Sequence, residues 1–400
     1  MKRMISILVI ILMFGMVGFT QAQDSFPVFC GDLADADCEI LQQNQDAMKA
    51  LNAFAFALSA DFTISNVPDM PEAVSFGITG DGAVTGDLAS LQRSPEEMAG
   101  LMNDPEAYAD YMATVLDAFD MELSMVLNLP QALVEETGGE MPSTLPLNIV
   151  LADGTGYLDF STLRDAVGEA GESFPEGWYG IDLAGLMTQM MAMSESMGAM
   201  TPMDPGMMSQ FSDPEFAANF MSIERLDDTT AADGTAVASF HTVIDYAALM
   251  SDPAIQELMA ESMAAQGTAL SEAEMAEMQA MMSTMFQNVT LDIFHTIGLE
   301  DFYTRTTQVT MNFDMQAIMS MAAEMGDDSS MEGPAPVLMF NAVVTTSSFN
   351  DVDAIAAPDN ATVIPLESLG MMDAMSASAP ATADTVEVMP ATEPTATPTK

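Results

Sequence analysis

The sequence predicts an α+β protein with a mostly antiparallel sheet, and three observations support this class. Apolar side chains occupy every second position from Phe54 to Ile64, which is typical of a strand with one buried face. Asp-Gly pairs separate several short apolar runs, as they do in β-hairpins. Segments with helical periodicity lie between these runs, and an interleaved order rich in hairpins favours α+β over a parallel doubly wound sheet.

The first half of the domain follows from these patterns in chain order. A helix is predicted over 38–53, the strand from Phe54 follows, and the alternation continues over 74–78. Asp81-Gly82 is predicted to turn the chain into a hairpin. Ser94-Pro95-Glu96-Glu97 combines an N-cap, a first-turn proline and a capping box, so a helix is predicted from Ser94 to about Phe119.

The second half repeats the same two kinds of segment. Asp153-Gly154 and Asp233-Gly234 are predicted to join two further pairs of strands. Those strands are predicted over 147–151, 156–160, 221–230 and 235–246, with later ones over 289–297, 303–313 and 337–348. Helices are predicted over 183–200, 247–265, 272–286 and 314–325.

The N-terminus has the layout of a secretory signal peptide. Lys2-Arg3 precedes a run from Met4 to Phe19 without any charge, and Thr20-Gln21-Ala22 places small residues at the outer positions of a cleavage site. The apolar run is shorter than the roughly 20 residues that a membrane span needs. We therefore expect cleavage after Ala22, no stable membrane span in the mature chain, and a secreted, periplasmic or cell-envelope location.

Composition divides the remaining chain into a domain and a tail. Residues 23–369 have the apolar content of a globular α+β domain, as one unit or as two subdomains, whereas residues 370–400 are rich in Thr, Pro and Ala and cannot form a core. After residue 22 the chain has six basic residues against 60 acidic ones. Nucleic acid is excluded as a partner, because binding its phosphates requires clustered Lys and Arg.

The two cysteines, Cys30 and Cys38, lie close together near the mature N-terminus. In an exported protein such a pair is predicted to form a disulfide. The acidic residues around them do not have the alternating pattern of a calcium loop, and no metal site or cofactor is predicted.

Motifs for catalysis are missing from the sequence. It has no G-x-S-x-G, no H-E-x-x-H and no G-x-x-x-x-G-K-[ST]. Both histidines, His241 and His295, fall within predicted strands directly after a phenylalanine, and we interpret them as structural. The expectation is a protein without enzymatic activity and without catalytic residues.

Methionine is enriched to 41 residues and marks two helix faces. The first face consists of Met187, Met190, Met191, Met193, Met197 and Met200, and the second of Met275, Met278, Met281, Met282, Met285 and Phe286. The candidates for lining an apolar ligand site are Met187, Met190, Met193, Met197, Met278, Met282 and Met285. Three interpretations remain open: core packing by an adaptable side chain, a surface that repacks around acyl chains or other apolar ligands, and Cu(I) binding through thioethers.

The order of elements resembles the LolA/LppX–LprG-like carriers of the bacterial cell envelope. A leading helix, an antiparallel meander and helices inserted between hairpins occur in that order, and Phe349 to Ala361, with its Pro-x-x-Ala, resembles their closing segment. The resemblance implies a large curved sheet with helices packed on one face and an apolar cavity for lipid or acylated cargo. A lipidated cysteine of the lipoprotein members is absent. The leading functional hypothesis is an apolar-ligand or lipid binder; the alternatives are a structural surface protein without a ligand and a Cu(I)-binding protein.

The signal peptide gives a direct prediction. Because small residues follow a short apolar run, the mature protein should begin at Gln23. Intact-mass measurement or N-terminal sequencing of the exported protein checks this, and retention of residues 1–22 would contradict it.

Overall fold

A computed structural model describes most of the domain. The described residues are 28–66, 73–87, 93, 95–102, 104–136, 142–168, 174–187, 214–256, 286, 289–314 and 335–365. The signal segment, the tail from 366 onward and the methionine-rich stretches 188–213, 257–285 and 315–334 lie outside them.

Helices and strands alternate along the described chain. The helices are α1 Asp35–Lys49, α2 Pro95–Met102, α3 Pro105–Ala118, α4 Gln131–Glu136, α5 Phe160–Val167, α6 Pro214–Ala217 and α7 Tyr246–Ser251. The strands are β1 Ala53–Ser65, β2 Val74–Gly86, β3 Phe119–Asn128, β4 Thr144–Ala152, β5 Thr155–Asp159, β6 Trp178–Asp182, β7 Met221–Arg225, β8 Thr229–Thr230, β9 Ala236–Asp245, β10 Thr290–Gly298, β11 Thr304–Asp314, β12 Val337–Ser347 and β13 Thr362–Ile364.

The strands form one sheet of 13 strands in the order β13-β6-β5-β4-β3-β2-β1-β12-β11-β10-β9-β7, with β8 also paired to β9. Strands β1 to β6 form one meander and β9 to β12 another. The pairing of β1 with β12 joins the two, with Ala55 opposite Ser347 and Ser65 opposite Val337. Every pairing is antiparallel except that of β13 with β6. The α+β class and the large, mostly antiparallel sheet are confirmed.

Among the described residues, four clusters of buried apolar side chains lie on the same face of this sheet. Helix α1 contributes Leu41 to a cluster with Phe240, and α3 contributes Leu116 to one with Phe54. Helix α5 contributes Leu163, and α6 and α7 pack together over the start of β7 and the end of β9. Helices α1, α3, α5, α6 and α7 therefore pack on one face, as the family resemblance implies.

The segment after β12 crosses the sheet. It begins with Phe349, whose ring stacks on Tyr303 at a centroid distance of 4.4 Å, and Asn350, whose backbone N–H donates to the Ala53 carbonyl at 2.7 Å. It then has to pass from β12 to the far edge strand β6, six strand spacings or about 29 Å away. Residues 348–361 contain no helix or strand and are numerous enough to cover this distance at about 3.1 Å per residue, and β13 then pairs with that edge.

The hairpin turn predicted at Asp81-Gly82 is wrong, because β2 runs without a break from Val74 to Gly86. Gly82 lies within β2, where the Phe56 ring and the backbone of β3 leave no room for a side chain. A Cβ at this position would lie 2.3 Å from the Glu122 carbonyl oxygen and 2.7 Å from a ring carbon of Phe56. Because Gly82 has no side chain, the ring of Phe56 on β1 can lie over β2.

Two predicted helices are interrupted before a proline. The helix predicted from Ser94 to Phe119 is α2 followed by α3, and Asp104 between them has an extended backbone (φ −126°, ψ 95°). Within the helix predicted over 247–265, α7 ends at Ser251, and the next residue, Asp252, has an extended backbone as well. The residue that precedes a proline is disfavoured in the helical region, which explains both breaks.

Other boundaries are also corrected. The first helix is shifted toward the N-terminus, to Asp35–Lys49, which leaves Ala53 free to begin β1. The strand predicted over 221–230 consists of β7 and the two-residue β8. Strands β3, β6 and β13 lie where no strand was predicted.

Candidate functional site

The disulfide is the first predicted feature that the structure tests, and it is confirmed. Cys30 and Cys38 are bonded with a Cα–Cα distance of 5.4 Å. The loop that they close leads into α1, and Gly31 within it lies against Ile223 of edge strand β7. The bond therefore lies beside the edge of the sheet.

The alternation in β1 places a set of apolar side chains in line across five strands. Cross-strand partners in an antiparallel pair point to the same face. Their order from β2 to β10 is Phe76, Phe62, Phe340, Met311 and Leu291. This row spans four strand spacings, or about 19 Å.

A second row runs parallel to the first on the same face and has a shallow middle. It consists of Ile78, Ala60, Ala342, Val309 and Ile293, in the same strand order. The two alanines lie next to the larger rings of Phe62 and Phe340. We call the ten side chains of these two rows the apolar belt.

Every member of the apolar belt is half-buried, in contrast to the flanking clusters. Phe54 and Phe56, on the same face of β1 nearer its start, are both 6% exposed. Toward the other end of β1 the side chains on this face are still apolar, but a larger fraction of each is exposed. Phe76 and Ile78, at one end of the belt, pack against the cluster that contains Leu127, and among the described residues the other eight members belong to no buried cluster.

The opposite face of the same strands is polar. Between the two belt rows lie Asp61, Asn341, Thr310 and Asp292, again opposite one another in register. Asn341 Oδ1 accepts hydrogen bonds from Gln308 Nε2 at 3.0 Å and from Thr310 Oγ1 at 3.3 Å. Apolar ligands can therefore be expected on one face only.

The methionine candidates fall largely outside the described chain. Met187 packs, partly buried, against the cluster that contains Phe54 and Phe56, which agrees with the core-packing interpretation for this residue. The other candidates, Met190, Met193, Met197, Met278, Met282 and Met285, lie outside the described residues. Met311, which no sequence argument singled out, is the methionine of the belt.

A charged cluster that the sequence did not predict lies on the polar face of β7, β9 and β10. The His241 ring has Nδ1 3.1 Å from Glu224 Oε1 and Nε2 2.8 Å from Asp292 Oδ1, and it stacks on Phe294 at 4.1 Å. Burial lowers the pKa of His241, but the hydrogen bonds and charges of the two carboxylates outweigh burial and leave this pKa above 6.5. The protonated ring can donate to both carboxylates.

His295 occupies the apolar face. Its ring stacks on Phe240 at a centroid distance of 5.3 Å. Burial lowers the pKa of His295 to about 4. The two histidines are one strand apart and have opposite protonation behaviour because they lie on opposite faces of the sheet.

Within the described ranges, no group of three or more His, Cys, Asp or Glu side chains could hold a metal ion. No helix in this part of the chain is long and apolar enough to cross a membrane.

Comparison with known proteins gives little. No protein-family model matches the chain, and no curated protein matches it. Solved structures do match, among them a domain from Vibrio parahaemolyticus described as a proposed outer membrane lipoprotein-sorting protein, which aligns over 77% of this chain and 89% of its own at 7% identity and a TM-score of 0.16. The description agrees with the carrier resemblance, but a score this low carries no argument for fold or function.

The two histidines predict opposite pH effects on stability. The raised pKa of His241 means that its stabilisation is complete below about pH 6.5 and is lost as pH rises through that pKa. The lowered pKa of His295 means that stability is lost as pH falls from about 6.5 toward 4, by on the order of 3 kcal/mol when complete.

Denaturant unfolding of two variants at pH 5, 7 and 9 measures both effects. His241→Gln should destabilise the protein more at pH 5 than at pH 9, and His295→Leu should gain stability relative to the wild type as pH falls from 7 to 5. Both variants keep every carboxylate, so a pH effect that comes from carboxylates should be the same in both. Differences that do not change with pH, or that change in the same direction, would contradict the assignment.

Proposed function

We propose that the protein is a non-enzymatic binder of a lipid or other apolar ligand that acts outside the cytoplasm. The carrying observation is the apolar belt: ten apolar side chains in two rows on one face of five adjacent strands, all of them half-buried. A ligand that covers this face would remove apolar surface from water at about 25 cal/mol per Å². The signal-peptide pattern and the Cys30–Cys38 disulfide support export.

The belt also has features that suit an elongated ligand. The alanine pair at its centre, Ala60 and Ala342, leaves room beside Phe62 and Phe340 for a chain that lies across the strands. Binding sites for small molecules are lined mostly by apolar side chains with few polar groups. The two rows of the belt likewise contain no charged side chain. The methionine-rich stretches are compatible with contact to varied apolar partners.

Binding of an uncharged fluorophore tests the proposal. Delipidated protein purified without detergent should bind N-phenyl-1-naphthylamine saturably. Phe62→Gln and Phe340→Gln should each weaken binding roughly four- to twelvefold, because each removes about half of the roughly 1.5–3 kcal/mol that a buried phenylalanine contributes. Met339→Gln is the matched control: it is the neighbour of Phe340, is 45% exposed, and lies on the polar face, so binding should not change.

A filling substitution keeps the test valid if a glutamine variant unfolds. Ala342→Leu retains apolar character and should block the shallow centre of the belt while far-UV circular dichroism stays native. If the wild type does not bind the fluorophore, or if Ala342→Leu and Met339→Gln behave alike, the apolar-ligand proposal fails and a structural role is favoured.

Cu(I) binding gives a different pattern. Leu at Met187, Met190 and Met193 deletes three thioethers and keeps the apolar character, so it should abolish a copper site. The same triple variant should still bind the fluorophore if the belt is the ligand site.

A further inference from the structure

We propose that the ligand of the apolar belt is an amphiphile without negative charge, with an uncharged or cationic headgroup. This inference rests on the proposed function and specifies the class of ligand. It follows from where the few positive charges of the chain lie and from what they already contact.

Arg305, near the start of belt strand β11, and Arg225, on edge strand β7 outside the belt, are both neutralised by carboxylates. Arg225 Nε lies 3.2 Å from Asp37 Oδ1, and its guanidinium also pairs with Asp228. Arg305 pairs with Asp301 and lies 3.7 Å from Asp233. Each cation therefore has two aspartates around it.

Aromatic rings cover the faces of the same guanidinium groups. The central carbon of Arg225 lies 5.0 Å from the ring centroid of Phe240, and that of Arg305 lies 4.6 Å from that of Phe349. Arg305 is only 9% exposed. An anionic headgroup would have to displace both carboxylates and an aromatic contact to reach either cation.

The other cations in the described ranges are engaged too. Arg164 lies 2.6 Å from Glu176, and Lys49 lies 4.0 Å from Asp46. Arg93 stacks over the Tyr111 ring at 5.3 Å. Each of them contacts a carboxylate or an aromatic ring, so no described cation is left as an evident partner for a carboxylate or phosphate.

The sequence of the connecting segments adds negative charge only. The three stretches 188–213, 257–285 and 315–334 contain twelve Asp and Glu and no Lys, Arg or His. Wherever their side chains lie, they can supply no countercharge for an anion. The whole chain has a formal charge of −52, and such a field repels anions and attracts cations over about a Debye length.

Three amphiphiles with the same twelve-carbon chain separate the possibilities: dodecanol, dodecyltrimethylammonium and dodecanoate. Their affinities are measured at pH 7.5, below micelle-forming concentrations, by displacement of N-phenyl-1-naphthylamine in about 20 mM and about 300 mM NaCl. At low salt, dodecanoate should bind at least tenfold more weakly than dodecanol. Added salt screens electrostatic interactions. It should therefore strengthen the binding of dodecanoate, weaken the binding of dodecyltrimethylammonium and leave the binding of dodecanol unchanged.

Two variants show whether the effect belongs to the belt. Ala342→Leu should weaken all three ligands; ammonium binding that survives there would be adsorption to the acidic surface and would overturn the inference. Ile64→Lys, at the end of β1 on the belt face, should raise dodecanoate affinity severalfold.

Dodecanoate that binds as tightly as dodecanol to the wild type would also overturn the inference, and the proposed function would stand. If none of the three displaces the fluorophore, the proposed function itself fails.

Discussion

The register between β1 and its two neighbours is the constraint on which the rest of the structure depends. β1 belongs to the first meander and joins it to the second, since it pairs with β2 on one side and with β12 on the other. Its side chains alternate strictly between the faces, and a slip of one residue would turn Phe54, Phe56 and Phe62 toward the polar side. Burial of Phe54 and Phe56 in the first cluster opposes that slip. The same alignment places Phe62 opposite Phe340.

One face of the sheet therefore has two kinds of surface. Where described helices cover it, the side chains form closely packed clusters, and where the belt lies they are half-buried. Charge is distributed accordingly: the belt has none, Arg225 on β7 and Arg305 on β11 are paired with aspartates, and the carboxylates of the belt strands lie on the polar face. An apolar site surrounded by negative charge follows from this arrangement.

The sequence was informative where the periodicity was local. The alternation of β1 predicted its length and its buried face correctly. Strand β3 has the same alternation, but it was not predicted because its Met, Leu and Glu residues are strong helix formers. It also begins at Phe119, where the predicted helix was expected to end. The disulfide was predictable because Cys30 and Cys38 are neighbours in the chain.

Long-range pairing could not be predicted in the same way. The belt depends on β1 meeting β12, and Phe62 and Phe340 are far apart in sequence, so no local pattern specifies that they meet. The cluster of Glu224, His241 and Asp292 likewise requires the register of three strands. In so acidic a chain, nothing in the sequence distinguishes Glu224 and Asp292 from other carboxylates on the surface.

Oxidation of two methionines by dilute hydrogen peroxide tests the central claim, that the belt is the ligand surface. Met311 lies in the belt, and Met339 lies on the opposite face of the neighbouring strand and is 45% exposed. Peptide mass spectrometry follows the formation of sulfoxide at each residue with and without saturating dodecanol. The account predicts that the ligand slows oxidation of Met311 severalfold and leaves Met339 unchanged. Equal rates at Met311 with and without the ligand, or equal slowing of both residues, would contradict it.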